Sequence, residues 1–101
     1  MEFGKLVRDR IPELIAAGGE TPVIRVLEDG EYLSRLEDKL DEEVAEYHRS
    51  GEPEELADIL EVVWALAAAR GISGEALTTL RQKKREARGG FSERIFLIRK
   101  V

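Results

Sequence analysis

The feature that most constrains the fold is a pair of helix-forming segments separated by the short sequence SGEP at residues 50–53. In the segment 30–49, leucine, valine and tyrosine recur at steps of three and four residues, which is the period of an amphipathic α-helix. A proline opens the segment 53–70, at a position that the first turn of a helix tolerates. Because the connection is so short, we predict an antiparallel helical hairpin.

Two more helices are predicted on either side of this hairpin. The first occupies 9–17, where Asp9 is a candidate N-cap and two glycines follow the last helical residue. The second occupies 74–88, where Ser73 is the candidate N-cap and two further glycines end the helix. The chain is therefore expected to be mainly α-helical.

Two other segments, 22–27 and 94–101, are rich in β-branched and other apolar residues, as is typical of strands. We predict that they pair as a small two-stranded β element beside the helices. A length of 101 residues corresponds to one domain, and the sequence contains no repeat or linker. Residues 1–101 are accordingly expected to form a single domain.

Composition excludes several classes of protein. The absence of cysteine rules out disulfides and thiolate metal sites and fits a reducing compartment. The N-terminus does not resemble a signal peptide, and the longest apolar run, 62–69, is too short to span a bilayer. We therefore expect a cytoplasmic protein without a membrane partner. The net charge of −5 argues against a nucleic-acid partner.

Four carboxylates occupy unusual positions on the two helices of the hairpin. At about 100° per residue, Glu43 and Glu46 lie beside the apolar stripe of the first helix. On the next helix, Glu55 and Asp58 point in nearly the same direction as the apolar residue Val62. An acidic run on a helix is more often a solvated face, but here the hairpin is expected to turn all four carboxylates toward one another.

Four converging carboxylates repel one another strongly unless they take up protons or bind cations. Ligation by oxygen atoms alone suits a hard divalent ion, with Mg²⁺ as the first choice and Mn²⁺ as the second. Because Mg²⁺ commonly uses substrate phosphates as further ligands, the cluster predicts a catalytic rather than a structural metal site.

The sequence EEVAE at 42–46, followed by EELAD at 54–58, resembles the EExxE…ExxD signature of the all-α nucleotide pyrophosphohydrolases. This group includes the MazG-like proteins and the phosphoribosyl-ATP pyrophosphohydrolases. The segments KLVRDRIPELI at 5–15 and KKREARGGFSERIFL at 83–97 extend the resemblance over nearly the whole chain. One departure is the connection between the two motifs, because only eight residues separate Glu46 from Glu55, fewer than in most MazG-like proteins.

The resemblance implies an all-α NTP pyrophosphatase-like helical bundle and a Mg²⁺-dependent hydrolase. Such an enzyme cleaves the α–β phosphoanhydride of a nucleoside triphosphate, or of a phosphoribosyl-ATP-like substrate, to a monophosphate and pyrophosphate. Carried over by position, Glu43, Glu46, Glu55 and Asp58 are the implied catalytic metal ligands. Glu42 belongs to the same motif and is a candidate for supporting these ligands.

Basic residues are the expected partners of the substrate phosphates. Lys84 and Arg88 lie four residues apart on one helix face, although a solvated basic helix end would have the same pattern. Lys5 and Arg8 belong to the N-terminal part of the resemblance, although they are equally consistent with a surface N-terminus. Lys39 lies one turn before the acidic cluster, where it either neutralises the carboxylates or contacts a phosphate.

Other functions stay open at this level. A metal-binding regulatory or oligomerisation module without turnover would share the same fold and cation site, and a purely helical oligomerisation unit would carry the acidic face for solubility alone. The segment 56–69 is more apolar than one hairpin can cover. Self-association as a homodimer or homotetramer is therefore expected in every case.

Overall fold

The computed structural model describes residues 4–101, and this part of the chain contains four α-helices and no β-strand. The prediction of an all-α fold is thereby confirmed. The four helices, in chain order, are α1 (Ile11–Ala17), α2 (Asp29–Ser50), α3 (Pro53–Ala69) and α4 (Gly74–Arg88).

The central element is the hairpin of α2 and α3, which are joined by only two residues. Gly51 adopts a left-handed conformation with φ of 66°, and its N–H donates to the carbonyl oxygen of Tyr47 at 2.8 Å. Glu52 is extended, and Pro53 starts α3 without loss of a helical hydrogen bond. The turn therefore reverses the chain at once and lays α3 along α2.

The core lies along this hairpin and is small. The buried apolar side chains are Leu36 on α2 and Val62 and Ala67 on α3. The fourth helix packs against α3 less extensively than α2 does. It starts with its Gly74 against the Trp64 ring, where a β-carbon would lie 3.6 Å from the ring atoms.

The cap predicted for α4 is present, whereas the one predicted for α1 is not. The Ser73 side chain accepts a hydrogen bond from the Ala76 N–H at 3.0 Å. Helix α1 begins at Ile11, two residues later than expected, with Arg10 at the N-cap position and no side-chain cap. The prediction of Asp9 as N-cap is wrong because Arg8–Ile11 forms a backbone-bonded turn that precedes the helix.

The two strands predicted at 22–27 and 94–101 do not form within residues 4–101. Both segments lack regular structure, and their apolar side chains point into solvent, as shown by the 96% exposed Val23 and the 87% exposed Phe96. Alternating apolar residues fit an extended chain, but a strand also needs a neighbour for its backbone groups. Neither segment has such a neighbour here.

Among residues 4–101, no helix combines the length and apolar character needed to cross a bilayer.

The two-residue turn generates a first prediction. Replacing Gly51 with Ala should lower the free energy of unfolding by about 1 kcal/mol, because an L-residue is strained in the left-handed region. Space is not the cause, since nothing lies within 4 Å of the added β-carbon. Urea denaturation at a fixed protein concentration measures the change.

Gly30 provides the matched control for Gly51. It lies inside α2, its φ is not positive, and its added β-carbon also meets open space. Gly30→Ala should therefore leave stability unchanged or raise it by up to about 1 kcal/mol. Equal destabilisation by both substitutions would contradict the role assigned to the turn.

Candidate metal centre

Three carboxylates meet on the inner side of the hairpin. One oxygen atom each from Glu43, Glu55 and Asp58 can be chosen so that all three lie within 4.8 Å of one another. Glu43 is only 9% exposed, and the other two side chains are half-buried. The structure thus brings together three of the four carboxylates that the sequence predicted as metal ligands, and we call these three the carboxylate triad.

The helical period and the short turn together produce this arrangement. Glu55 and Asp58 are three residues apart on α3 and therefore lie on one face, next to the buried Val62. Glu43 projects from α2 in the same direction as the buried Leu36. Because only two residues join α2 and α3, the two helices cannot slide past one another. The packing of Leu36 and Val62 therefore also fixes the position of Glu43 opposite Glu55 and Asp58.

Glu55 is the least compensated member of the carboxylate triad. The pKa of its carboxyl is raised above the usual glutamate range, first by burial and then by the negative charges of Glu46, Asp58 and Glu43. Among residues 4–101, no basic side chain forms an ion pair with it. The ionised form of Glu55 is therefore disfavoured unless a proton or a cation is bound nearby.

Lys39 compensates the α2 side of the cluster. Its Nζ lies 3.4 Å from a carboxylate oxygen of Glu43 and 3.4 Å from one of Glu42, one turn further along the same helix. The side chain of Lys39 is mostly buried, so this charge is held in place. Glu42 lies outside the triad and is linked to Glu43 only through Lys39, which contacts both carboxylates.

The N-terminal segment compensates the α3 side. The Arg8 Nη2 donates to Asp58 Oδ1 at 2.7 Å, although fifty positions separate the two residues. Lys5 lies 3.9 Å from Glu42. Residues 4–10 therefore reach back to the hairpin, where two of their three basic side chains, Lys5 and Arg8, lie next to Glu42 and Asp58.

Glu46 is not part of the triad. It forms an ion pair with Arg49, one turn later on α2. Its charge still contributes to the raised pKa of Glu55. Glu46 is thus near the triad but has a partner of its own in this structure.

The basic residues of α4 form a separate surface. Lys84 and Arg88 line a shallow pocket together with Arg81 and Arg85, two residues that were not among the predicted phosphate-binding residues. Their spacing of three and four residues is the signal that would have found them. Within residues 4–101, no ion pair connects this basic pocket to the carboxylate triad.

The donor set fits a hard divalent cation. It consists of three carboxylates, and the chain contains no cysteine that would favour a softer metal. Two oxygens on opposite sides of a Mg²⁺ ion are about 4.2 Å apart, given metal–oxygen distances of about 2.1 Å. Neighbouring oxygens on such an ion are only about 3.0 Å apart. The three carboxylates, whose chosen oxygens lie within 4.8 Å of one another, would therefore have to move closer together to bind one ion.

Comparison with known proteins assigns neither a family nor an activity. No family model matches the chain, and no solved structure matches it. An uncharacterised protein of Mycolicibacterium smegmatis (strain ATCC 700084 / mc(2)155) is 71% identical over 44 residues, which are 44% of this chain. The match spans 45% of the length of that relative.

The raised pKa of Glu55 generates a second prediction, for metal-free protein. The folded state binds this proton more tightly than the unfolded chain, in which a glutamate has a pKa of about 4.3. Stability should therefore increase as the pH falls from neutral toward that value, because protonation removes the cost of a half-buried charge among other carboxylates. Glu55→Gln cannot ionise at this position, so it should abolish this contribution to the pH dependence of the free energy of unfolding.

Urea denaturation in EDTA between pH 5 and pH 8 measures the effect. The stability advantage of Glu55→Gln over wild type should be largest at pH 8 and shrink on acidification. Glu75→Gln, on the exposed first turn of α4, is the matched control and should run parallel to wild type. An advantage of Glu55→Gln that is constant with pH would contradict the electrostatic explanation.

Proposed function

We propose that this chain is a Mg²⁺-dependent nucleotide pyrophosphohydrolase related to the MazG-like proteins and the phosphoribosyl-ATP pyrophosphohydrolases. It would cleave the α–β phosphoanhydride of a nucleoside triphosphate or phosphoribosyl-ATP-like substrate, producing a monophosphate and pyrophosphate. The observation that carries this proposal is the carboxylate triad of Glu43, Glu55 and Asp58 on the helical hairpin. The type of reaction is inferred from the resemblance of residues 42–46 and 54–58 to the pyrophosphohydrolase signature.

The carboxylate triad would hold the cation, with Mn²⁺ as an alternative to Mg²⁺. When bound, the cation polarises phosphate oxygens and lowers the pKa of a coordinated water. Glu55 supports this assignment because it is the triad member without a basic partner in residues 4–101. Glu46 would join the site only after leaving Arg49.

The chain's own cations would position the substrate phosphates. Phosphoryl transfer depends mainly on positioning and on neutralisation of charge, so basic side chains beside the cluster are required. Arg8 and Lys5 are best placed, since each is already in contact with a carboxylate of the acidic cluster. Arg8 can turn its guanidinium from Asp58 to a phosphate, which accepts two hydrogen bonds in the same geometry.

Lys39 has a different role in this proposal. Its contacts with Glu42 and Glu43 keep the α2 carboxylates in place and offset their repulsion. Lys84 and Arg88 lie on exposed α4 and not beside the triad. They therefore remain candidates only for the phosphates of a long substrate that are farthest from the cation. The nearest phosphate contacts are therefore assigned to the N-terminal segment.

A module that binds a cation without turnover is the second candidate. The pairing of Asp58 with Arg8 and of Glu43 with Lys39 favours it, because these contacts already offset part of the repulsion. Such a module would bind Mg²⁺ and release no product.

We further propose that the chain self-associates and that it acts in the cytoplasm, where its nucleotide substrates are found.

The third prediction concerns activity. Protein with Mg²⁺ should release pyrophosphate, and not orthophosphate, from at least one member of a panel of canonical, deoxy and modified triphosphates and phosphoribosyl-ATP. Asp58→Asn and Glu55→Gln should each lower kcat by at least about 100-fold, since each removes a charge from the carboxylate triad. Product analysis by phosphorus NMR distinguishes the two phosphate products.

Neighbouring residues on α3 provide matched controls for these variants. Glu54→Gln and Glu61→Gln remove equal charges from exposed positions outside the carboxylate triad and should keep most of the activity. Absence of pyrophosphate across the whole panel would favour the module without turnover. Full activity of Asp58→Asn would refute the assigned site.

The fourth prediction concerns the cation itself. A ligand that binds only the folded state at 100 times its Kd stabilises that state by about 2.7 kcal/mol. Mg²⁺ should therefore raise the Tm of wild type, but much less that of Glu55→Gln. Differential scanning calorimetry with Mg²⁺, with Na⁺ at matched ionic strength and with EDTA separates binding from screening. Equal shifts in both proteins would contradict a site at the triad.

A further inference from the structure

Helix α1 and the segment before it are only loosely attached to the rest of the chain. Within residues 4–101, α1 packs against no other helix, and none of its residues is buried. Irregular residues 18–28 separate it from α2. Among residues 4–10, only Leu6 is half-buried and the others are exposed. Apolar packing therefore contributes little to holding residues 4–17 on the hairpin.

Two ion pairs connect this part of the chain to the hairpin. Arg8 Nη2 donates to Asp58 Oδ1 at 2.7 Å, and Lys5 Nζ lies 3.9 Å from Glu42 Oε1. Both basic side chains are about half exposed, with 55% for Arg8 and 48% for Lys5. Ion pairs at such positions are weak, because water and salt screen them. Another cation can therefore take the place of either side chain.

A divalent cation at the carboxylate triad and these two side chains would neutralise the same carboxylates. Lys5 and Arg8 together bring two positive charges, which is the charge of one Mg²⁺ ion. A cation held at about 2.1 Å by either oxygen of Asp58 would lie within about 7 Å of Arg8 Nη2. The Debye length at physiological ionic strength is about 8 Å, so the guanidinium and the cation would repel each other.

We propose that Lys5 and Arg8 form a latch, which occupies Glu42 and Asp58 in the metal-free protein and leaves them when a divalent cation binds to the carboxylate triad. The proposal rests on the cation site of the proposed function and adds how that site is controlled. Because linkage is reciprocal, the latch weakens cation binding by the same factor by which the cation weakens the latch.

Lys39 is not part of the latch. Its side chain is mostly buried, and it lies on the same helix as its partners Glu42 and Glu43. It therefore stays in place whether the latch is closed or open. Opening of the latch makes only Lys5 and Arg8 available to phosphate groups, so phosphate binding by these two residues depends on a bound cation.

Two arginines of the same segment provide a matched pair of variants. Arg8→Gln removes the charge that contacts Asp58, whereas Arg10→Gln removes an equal charge that pairs with Glu13 on α1 instead. Titration with Mn²⁺, followed by the EPR signal of the free ion, gives the Kd independently of any turnover. Circular dichroism checks that each variant keeps its helices.

Arg8→Gln should lower the Kd for Mn²⁺ by about 3- to 10-fold, because the cation displaces no guanidinium from Asp58 and is repelled by none. Arg10→Gln should bind Mn²⁺ as wild type does. Equal or weaker binding by Arg8→Gln would overturn the latch and leave the cation site of the proposed function intact. Absence of Mn²⁺ binding in all three proteins would overturn both.

A spin label follows the segment directly and does not depend on the folding of Arg8→Gln. The chain contains no cysteine, so Val7→Cys, at a 38% exposed position between the two latch residues, takes up a single nitroxide. The motion of this label should be restricted in EDTA. Mg²⁺ should make it faster, and Na⁺ at the same ionic strength should have a much smaller effect.

Leu80→Cys is the control for the spin label. Leu80 is 53% exposed on α4, away from the N-terminal segment, so a label there should give the same spectrum in all three solutions. A label at position 7 that moves freely in EDTA, or whose motion Mg²⁺ leaves unchanged, would refute the latch.

Discussion

The contact between α2 and α3 is the constraint on which the rest of the structure depends. Its two-residue turn leaves no freedom in register, so Glu43 must face Glu55 and Asp58 once Leu36 and Val62 are packed. The carboxylates are therefore close together as a consequence of hydrophobic packing. The resulting repulsion is offset by Lys39 from α2 and by Arg8 from the N-terminal segment.

This neutralisation of the carboxylate charges is incomplete, and the proposal of a cation site depends on that. Two members of the carboxylate triad have basic partners, and Glu55 has none within residues 4–101. The pKa of Glu55 is raised first by burial and then by the neighbouring negative charges. In the proposed function, a divalent cation and an anionic substrate would replace part of the neutralisation that the site's own lysine and arginine side chains provide. The ion pairs of Arg8 and Lys5 thus have a natural place in the proposed binding of phosphate groups.

Helix α3 combines two surfaces of opposite character, and the helical period keeps them apart. One surface carries Glu55 and Asp58 toward α2, and the other carries the exposed apolar side chains of Leu56, Leu60 and Trp64. The two surfaces are separated by about 140–160° around the helix, as measured from Leu60 to Glu55 and Asp58.

The sequence by itself determined the positions of the helices, the hairpin and the acidic faces, because apolar spacing, Gly51, Pro53 and the Ser73 cap are local signals. Only the tertiary structure decided which charges meet. Glu46 pairs with Arg49 instead of joining the triad, and Arg8 reaches Asp58 across fifty positions. The predicted strands failed for a related reason. An alternating pattern of apolar residues is a property of one segment. A strand also needs a neighbouring strand for its backbone hydrogen bonds, and whether one is present depends on the rest of the fold.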